Sequence, residues 1–228
     1  RKVRLMNQKR QVVVLMALLL AMVVLPSSYA ASMTLLAVSK TSTGLVGTDA
    51  GLELDIKDGS GRVFISTFPL TNVDTQISFR MAKEFACDFL DRDCSRYDFY
   101  YVIRSKAPII GGPSAGAAAT TLTIAELDRL KLDAGAAATG TINSGGIIGP
   151  VAGIKQKIEA ASRVGLKKVL IPESTRYYSK SEEEDATENS SALLANDTID
   201  LVEYGRKRGV EVKEVAEINE MVYELTGK

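Results

Sequence analysis

Gly111-Gly112-Pro113-Ser114-Ala115-Gly116-Ala117-Ala118-Ala119 is the stretch on which the reading of this chain turns. Just before it runs Asp98-Phe99-Tyr100-Tyr101-Val102-Ile103-Arg104, apolar and aromatic, the pattern of a buried strand. After it the small residues give way to Leu122, Ile124, Leu127 and Leu130, which predicts a helix from Ser114 to about Leu130. Ser114 therefore falls where a loop becomes a helix, beside free backbone N–H groups and the positive end of the helix dipole. A serine so placed can face a substrate carbonyl while amide donors stand ready for the developing oxyanion. The plainer reading of the same residues is an N-cap followed by small side chains that let helices pack closely.

A second segment, Thr139 to Gly165, adds a partner: Thr139-Gly140-Thr141-Ile142, then Gly149-Pro150-Val151-Ala152-Gly153-Ile154-Lys155-Gln156-Lys157-Ile158. The chain contains no histidine, which excludes every Ser–His and Cys–His scheme. A serine nucleophile would then take its base from lysine, one of the recognised alternatives. The amine must be neutral for that task. Its solvated pKa of about 10.4 has to be lowered by apolar burial. Lys155 follows Gly153 and Ile154, precedes Ile158 and opens a predicted helix, whose N-terminal dipole also disfavours positive charge. The candidate dyad is Ser114 with Lys155.

These ordered motifs resemble the proteolytic domain of Lon-type serine–lysine proteases. The likeness rests on Gly-Pro-Ser-Ala-Gly at 112–116, Thr-Gly at 139–140 and Gly-Ile-Lys-x-Lys at 153–157. It continues through Ala160, Ala161 and Gly165 to Val169-Leu170-Ile171-Pro172-Glu173. Several motifs in the right order are a far stronger signal than an isolated Gly-x-Ser-x-Gly. The resemblance covers residues from about Leu36 to the C-terminus and is most specific from Gly112 to Glu173. It implies Ser114 as nucleophile and Lys155 as general base, with Thr139 hydrogen-bonding near the lysine. Gly112, Pro113 and Gly116 would shape the nucleophile loop. It also implies an α/β (α+β) Lon-protease-like fold, no cofactor and a hexameric ring as a possible assembly. The chain departs from the family pattern at Gly111 and Thr141, where acidic residues are usual, and at Ala152, where a second glycine is usual. The Asn expected after Ile-Pro-Glu is also missing.

Composition and targeting signals bound the rest. Lysine plus arginine equals aspartate plus glutamate at 28 each, and no basic cluster appears in the folded part, so nothing points to nucleic acid. Residues 1–31 differ from the remainder. Arg1, Lys2, Arg4, Lys9 and Arg10 form a basic head, and Val12 to Leu25 is an unbroken apolar run of fourteen residues. Ser28-Tyr29-Ala30 then offers a small-x-small cleavage pattern. The segment reads as a signal peptide or, extended through Ala31, as an N-terminal membrane anchor. Either would put the 32–228 domain on the extracytoplasmic side. The chain begins with Arg1, and Met6 could serve as the start with the signal intact.

Along the domain, Thr34–Val38, Gly51–Ile56 and Arg62–Thr67 alternate as strands, with Asp58-Gly59-Ser60-Gly61 as a hairpin signal between the last two. Asn72 or Asp74 caps a helix whose Ile77, Met81, Phe85 and Phe89 read as its core face. Cys87 and Cys94 lie about 10 Å apart if that helix is continuous, too far for a disulfide, but could close one if it ends near Asp91. The acidic stretch Ser174 to Ser191 reads as a solvated loop, and Asn189 and Asn196 match the glycosylation pattern. Leu193–Arg208 is expected as a helix, Val210–Val215 as a strand and Asn219–Leu225 as a closing helix.

The 228 residues contain no Gly-x-x-x-x-Gly-Lys-Ser/Thr loop. The expectation is therefore a stand-alone, ATP-independent serine endopeptidase acting on unfolded or flexible polypeptides. One rival is a catalytically silent Lon-like domain serving as a membrane-tethered binding or scaffold module. The other is an unrelated Ser–Lys hydrolase, which would have no reason to carry the Ala160-Ala161 and Ile171-Pro172-Glu173 pattern.

Overall fold

A computed structural model describes residues 30–42, 44–179 and 198–228. The leader expected over residues 1–31, but for its last two residues, lies outside them, as do Asn189, Asn196 and most of the acidic stretch. No helix among the described residues is long and apolar enough to cross a membrane.

Seven strands form one mixed sheet. They are β1 (Ala31–Thr41), β2 (Gly44–Asp58), β3 (Val63–Thr71), β4 (Tyr97–Ile110), β5 (Ala136–Ala138), β8 (Lys168–Pro172) and β11 (Glu211–Val215), in the order β11-β8-β5-β1-β2-β4-β3. The β11–β8, β8–β5, β5–β1 and β4–β3 neighbours run parallel, while β1–β2 and β2–β4 are antiparallel. Two small two-stranded antiparallel sheets accompany it, β6 (Thr141–Ile142) with β7 (Ile148–Gly149) and β9 (Tyr177–Ser179) with β10 (Thr198–Asp200). The helices are α1 (Val73–Phe89), α2 (Gly116–Leu127), α3 (Ile154–Arg163), α4 (Leu201–Arg206) and α5 (Ile218–Thr226).

Side chains that alternate along a strand point to opposite faces, and here they divide between two cores. Leu35, Ala136, Ala138 and Leu170 join α1, α2 and α5 on one face. Their neighbours Leu36, Ala137, Val169 and Ile171 join α3 and α4 on the other. A sheet covered on both faces needs apolar residues at consecutive positions, which is what β5 and β8 carry.

Four expectations require correction. Strands β2 and β3 do not form a hairpin, because β4 lies between them and pairs with both. The Asp58–Gly61 turn instead passes around the start of β4. There the buried Asp98 carboxylate accepts hydrogen bonds from the Ser60 and Arg62 amides at 2.8 and 2.9 Å. These amides hold the Asp98 pKa below the ordinary carboxylate range.

Second, the α1 face bearing Ile77, Met81 and Phe89 is solvent-exposed, as are Leu70 and Val73 before it. The buried face is Phe79, Ala82, Ala86 and Cys87 with Thr75, Ser78 and Lys83. Small residues decide this. Ala82 and Ala86 allow close approach to a helix that begins Gly116-Ala117-Ala118-Ala119, and Phe79 meets Tyr101 edge-on at 4.9 Å. Third, Asn72 occupies the N-cap position of α1 without a side-chain hydrogen bond. Fourth, among the described residues of the helix expected over Leu193–Arg208, residues 198–200 are strand β10 and Leu201–Arg206 is helical. There Asp200 caps α4 by accepting from the Val202 and Glu203 amides.

The two cysteines close a disulfide. Helix α1 ends at Phe89, Asp91 turns the chain with φ 47°, and the two Cα atoms stand 6.1 Å apart.

Candidate active site

The loop that carries Ser114 is held from both sides. Gly112 adopts φ 96°, a conformation open to glycine, and Pro113 opens a single 3-10 turn, Pro113–Ala115, before α2 begins at Gly116. Ser114 is thus one turn ahead of the α-helix proper and half-buried. Thr75 of α1 donates its hydroxyl to the Gly112 carbonyl at 3.3 Å. A side chain at Gly116 would press on Ile142 of β6, at 3.1 Å, so glycine there lets the helix start sit against that hairpin.

Thr139 is the junction. The Ser114 carbonyl accepts from the Gly140 amide at 3.0 Å and from the Thr139 hydroxyl at 3.3 Å. The same Thr139 hydroxyl accepts a hydrogen bond from the Lys157 ammonium nitrogen at 2.9 Å. Both side chains are almost wholly buried, Thr139 at 0% and Lys157 at 1% exposure. Desolvation lowers the Lys157 pKa from its ordinary 10.5 to about 8.

Lys155 is placed differently from the sequence expectation. It is half-buried on α3, with its Nζ 5.9 Å from the centre of the Tyr204 ring on α4. Two residues along a helix is a rotation of more than half a turn, so Lys155 and Lys157 cannot face the same side. The structure brings Lys157, not Lys155, to Thr139 and hence to the Ser114 backbone. The sequence did contain a signal for this. Ile154, Lys157, Ile158 and Ala161 fall at i, i+3, i+4 and i+7, one buried stripe that includes the second lysine and omits the first.

Helix α3 begins at Gly153, whose φ of 69° starts the turn and whose carbonyl accepts from the Lys157 amide at 3.0 Å. A Cβ there would stand 2.6 Å from Val38 of β1, so the helix start approaches the sheet as closely as glycine allows. Among the described residues no group of three or more metal-ligating side chains occurs. The arrangement comprises a half-buried serine, a buried amine of lowered basicity and a hydroxyl linking their segments. Chemically it can support proton transfer from a nucleophilic serine and acyl transfer.

Comparison with known proteins agrees with the resemblance. Residues 97–200 match the family model of the Lon protease (S16) C-terminal proteolytic domain. The Lon protease of Desulfosudis oleivorans is 41% identical over 85 residues, which is 37% of this chain and 10% of that protein. The Lon protease of Elusimicrobium minutum is 30% identical over 141 residues, 58% of this chain and 17% of the relative. The archaeal Lon protease of Methanothermobacter thermautotrophicus is 37% identical over 82 residues, 36% and 13%. The matches thus span 10% to 17% of these relatives' length.

Proposed function

We propose that this chain, whose residues 97–200 match the Lon protease (S16) C-terminal proteolytic domain, is a serine peptidase with Ser114 as nucleophile and Lys157 as general base. The observation that carries the reading is the buried Lys157 amine on Thr139, whose hydroxyl also reaches the Ser114 carbonyl. With a pKa of about 8 the amine is neutral in roughly a tenth of molecules at pH 7. Ser114 Oγ attacks the scissile carbonyl as Lys157 accepts its proton. Backbone amides of the Gly112–Ser114 turn stabilise the oxyanion. The lysine returns the proton to the leaving amine, and water then releases the acyl-enzyme by the same base. Thr139 orients the amine. The hydrolytic steps consume only water, and the proposal is that unfolded chains are cleaved without nucleotide.

The substrates are unfolded or flexible polypeptides, consistent with relatives named as proteases. The domain works on the extracytoplasmic side. The disulfide between Cys87 and Cys94 supports an oxidising compartment, and the basic, apolar leader supports export or membrane anchoring. A homo-oligomer, as the family resemblance implies, is part of the same proposal.

The test is casein cleavage by the full chain without nucleotide from pH 6 to 10, with Ser114→Ala, Lys157→Ala and Lys155→Ala alongside wild type. Wild type and Lys155→Ala should cleave, with a rate rising nearly tenfold per unit below pH 8 and levelling above it. Ser114→Ala and Lys157→Ala should be inert while folded. Inert wild type would remove the peptidase reading in favour of a silent binding module. Loss of activity in Lys155→Ala with retention in Lys157→Ala would return the base to Lys155.

A further inference from the structure

We infer that Asn72 is a substrate-binding residue whose carboxamide holds the main chain of the polypeptide beside the bond to be cut. The inference rests on the peptidase reading and deepens it.

The fold fixes Asn72 against the Ser114 loop from two directions. It follows β3, whose last residue, Thr71, is paired with Ile110, the last residue of β4. The two strands therefore deliver Asn72 and Gly111 side by side, and Gly111 lies three residues before Ser114. On the other side Thr75, buried in the first turn of α1, donates to the Gly112 carbonyl at 3.3 Å.

The Asn72 side chain does not take up the task its position offers. Asparagine at an N-cap ordinarily accepts from the amides of the first helical turn. Here no such bond forms, and it is the main-chain carbonyl of Asn72 that accepts from the Gln76 amide, at 3.4 Å. The carboxamide turns to Gly111 instead. A Cβ at Gly111 would stand 2.4 Å from Asn72 Nδ2 and 3.1 Å from its Cγ. Glycine at 111, where the proteases this chain resembles usually carry an acidic residue, leaves that space to the amide. Both residues are exposed, and among the described residues the carboxamide has no hydrogen-bond partner.

The exchange of groups changes what the loop can bind. An ionised carboxylate only accepts hydrogen bonds, whereas a carboxamide donates through its NH₂ and accepts through its carbonyl. An extended polypeptide presents the matching pair, an N–H and a C=O on its main chain, whatever its side chains. Asn72 can thus exchange two hydrogen bonds with a substrate residue near the scissile bond without reading its sequence. That suits a peptidase of unfolded chains, which meets many sequences.

The experiment measures cleavage of a quenched-fluorescent peptide and of analogues N-methylated at one backbone nitrogen at a time. Asn72→Ala should lower kcat/KM about three- to tenfold through KM, while kcat and the shape of the pH profile stay as in wild type. Asn72→Asp, which accepts but cannot donate, should lose at least as much. N-methylation at one position near the scissile bond should cost wild type a similar factor and Asn72→Ala almost nothing, because both changes remove the same bond. Urea midpoints should agree across the three proteins, since no hydrogen bond within the fold is lost. Binding is read separately by anisotropy of a fluorescein-labelled peptide with Ser114→Ala, and adding Asn72→Ala should weaken it by the same factor. Asn72→Ala that leaves kcat/KM and this affinity unchanged, or that keeps every N-methylation penalty, overturns the inference and leaves the peptidase standing. Inert wild type, together with a peptide affinity that Asn72→Ala weakens, upholds the main-chain contact and removes the peptidase. Ser114→Ala that binds no peptide overturns the inference.

Discussion

Replacing Lys157 by methionine should stabilise the protein at neutral pH while abolishing cleavage. The unfolded chain keeps the amine protonated up to its ordinary 10.5, whereas burial lowers it to about 8 in the folded state. At 1.36 kcal/mol per unit, that difference costs wild type about 3 kcal/mol at pH 7, where both states carry the proton. Methionine fills similar space without the charge but forfeits the hydrogen bond to Thr139, about 1 kcal/mol. The net expectation is a gain of about 2 kcal/mol at pH 7, or roughly 4–8 °C in Tm for a chain of this size. The sign of the pH dependence follows from linkage. Between pH 8 and 10.5 the unfolded state binds the extra proton, so wild type gains stability as pH rises and the advantage of Lys157→Met shrinks. By pH 10.5 the variant should be slightly the weaker. Urea unfolding of both proteins at pH 7, 8, 9 and 10 measures the difference, and the other titrating groups cancel. A difference that stays flat over that range, or a variant less stable at pH 7, would refute the argument that this amine is buried at a cost.

Removing the disulfide with Cys87→Ser and Cys94→Ser together should cost about 2.5 kcal/mol in urea, the closure entropy of so short a loop; reductant should do the same to wild type and nothing to the variant. Gly153→Ala forces a side chain into φ 69° and against Val38, so it should lose about 1–3 kcal/mol. Because the same residue starts the lysine helix, casein cleavage should fall with it, and an unaffected rate would show that Lys157 is held by other contacts. Asp98 contributes stability as a carboxylate, present above its unfolded pKa of about 3.9 and lost as pH falls through its lower folded value. Asp98→Asn should therefore be less stable at pH 7 and show a flatter denaturation profile between pH 5 and 2, followed by circular dichroism.

The candidate site could be proposed from the sequence because its parts are local. The turn before Ser114 needs glycine and proline in a set order, and the absence of histidine points any serine mechanism at lysine. Thr139 could be named from the family pattern, and Val210–Val215 and Asn219–Leu225 emerged within a residue or two as β11 and α5. The choice between Lys155 and Lys157 was also latent in helical spacing, since only the second shares a stripe with Ile154, Ile158 and Ala161.

What tertiary structure alone decided is which surfaces meet. Helix α1 carries apolar residues on two stripes, and periodicity cannot say which one is buried. The choice fell to Ala82 and Ala86, because small residues permit contact with α2, and it left Ile77, Met81 and Phe89 in solvent. Strand pairing was equally nonlocal. Asp58-Gly59-Ser60-Gly61 has the chemistry of a hairpin turn, yet Asp98, some forty residues on, captures its amides and inserts β4 between the two strands. The lowered basicity of Lys157 belongs to the same class. A lysine acquires it only when neighbours distant in the chain exclude water from its amine.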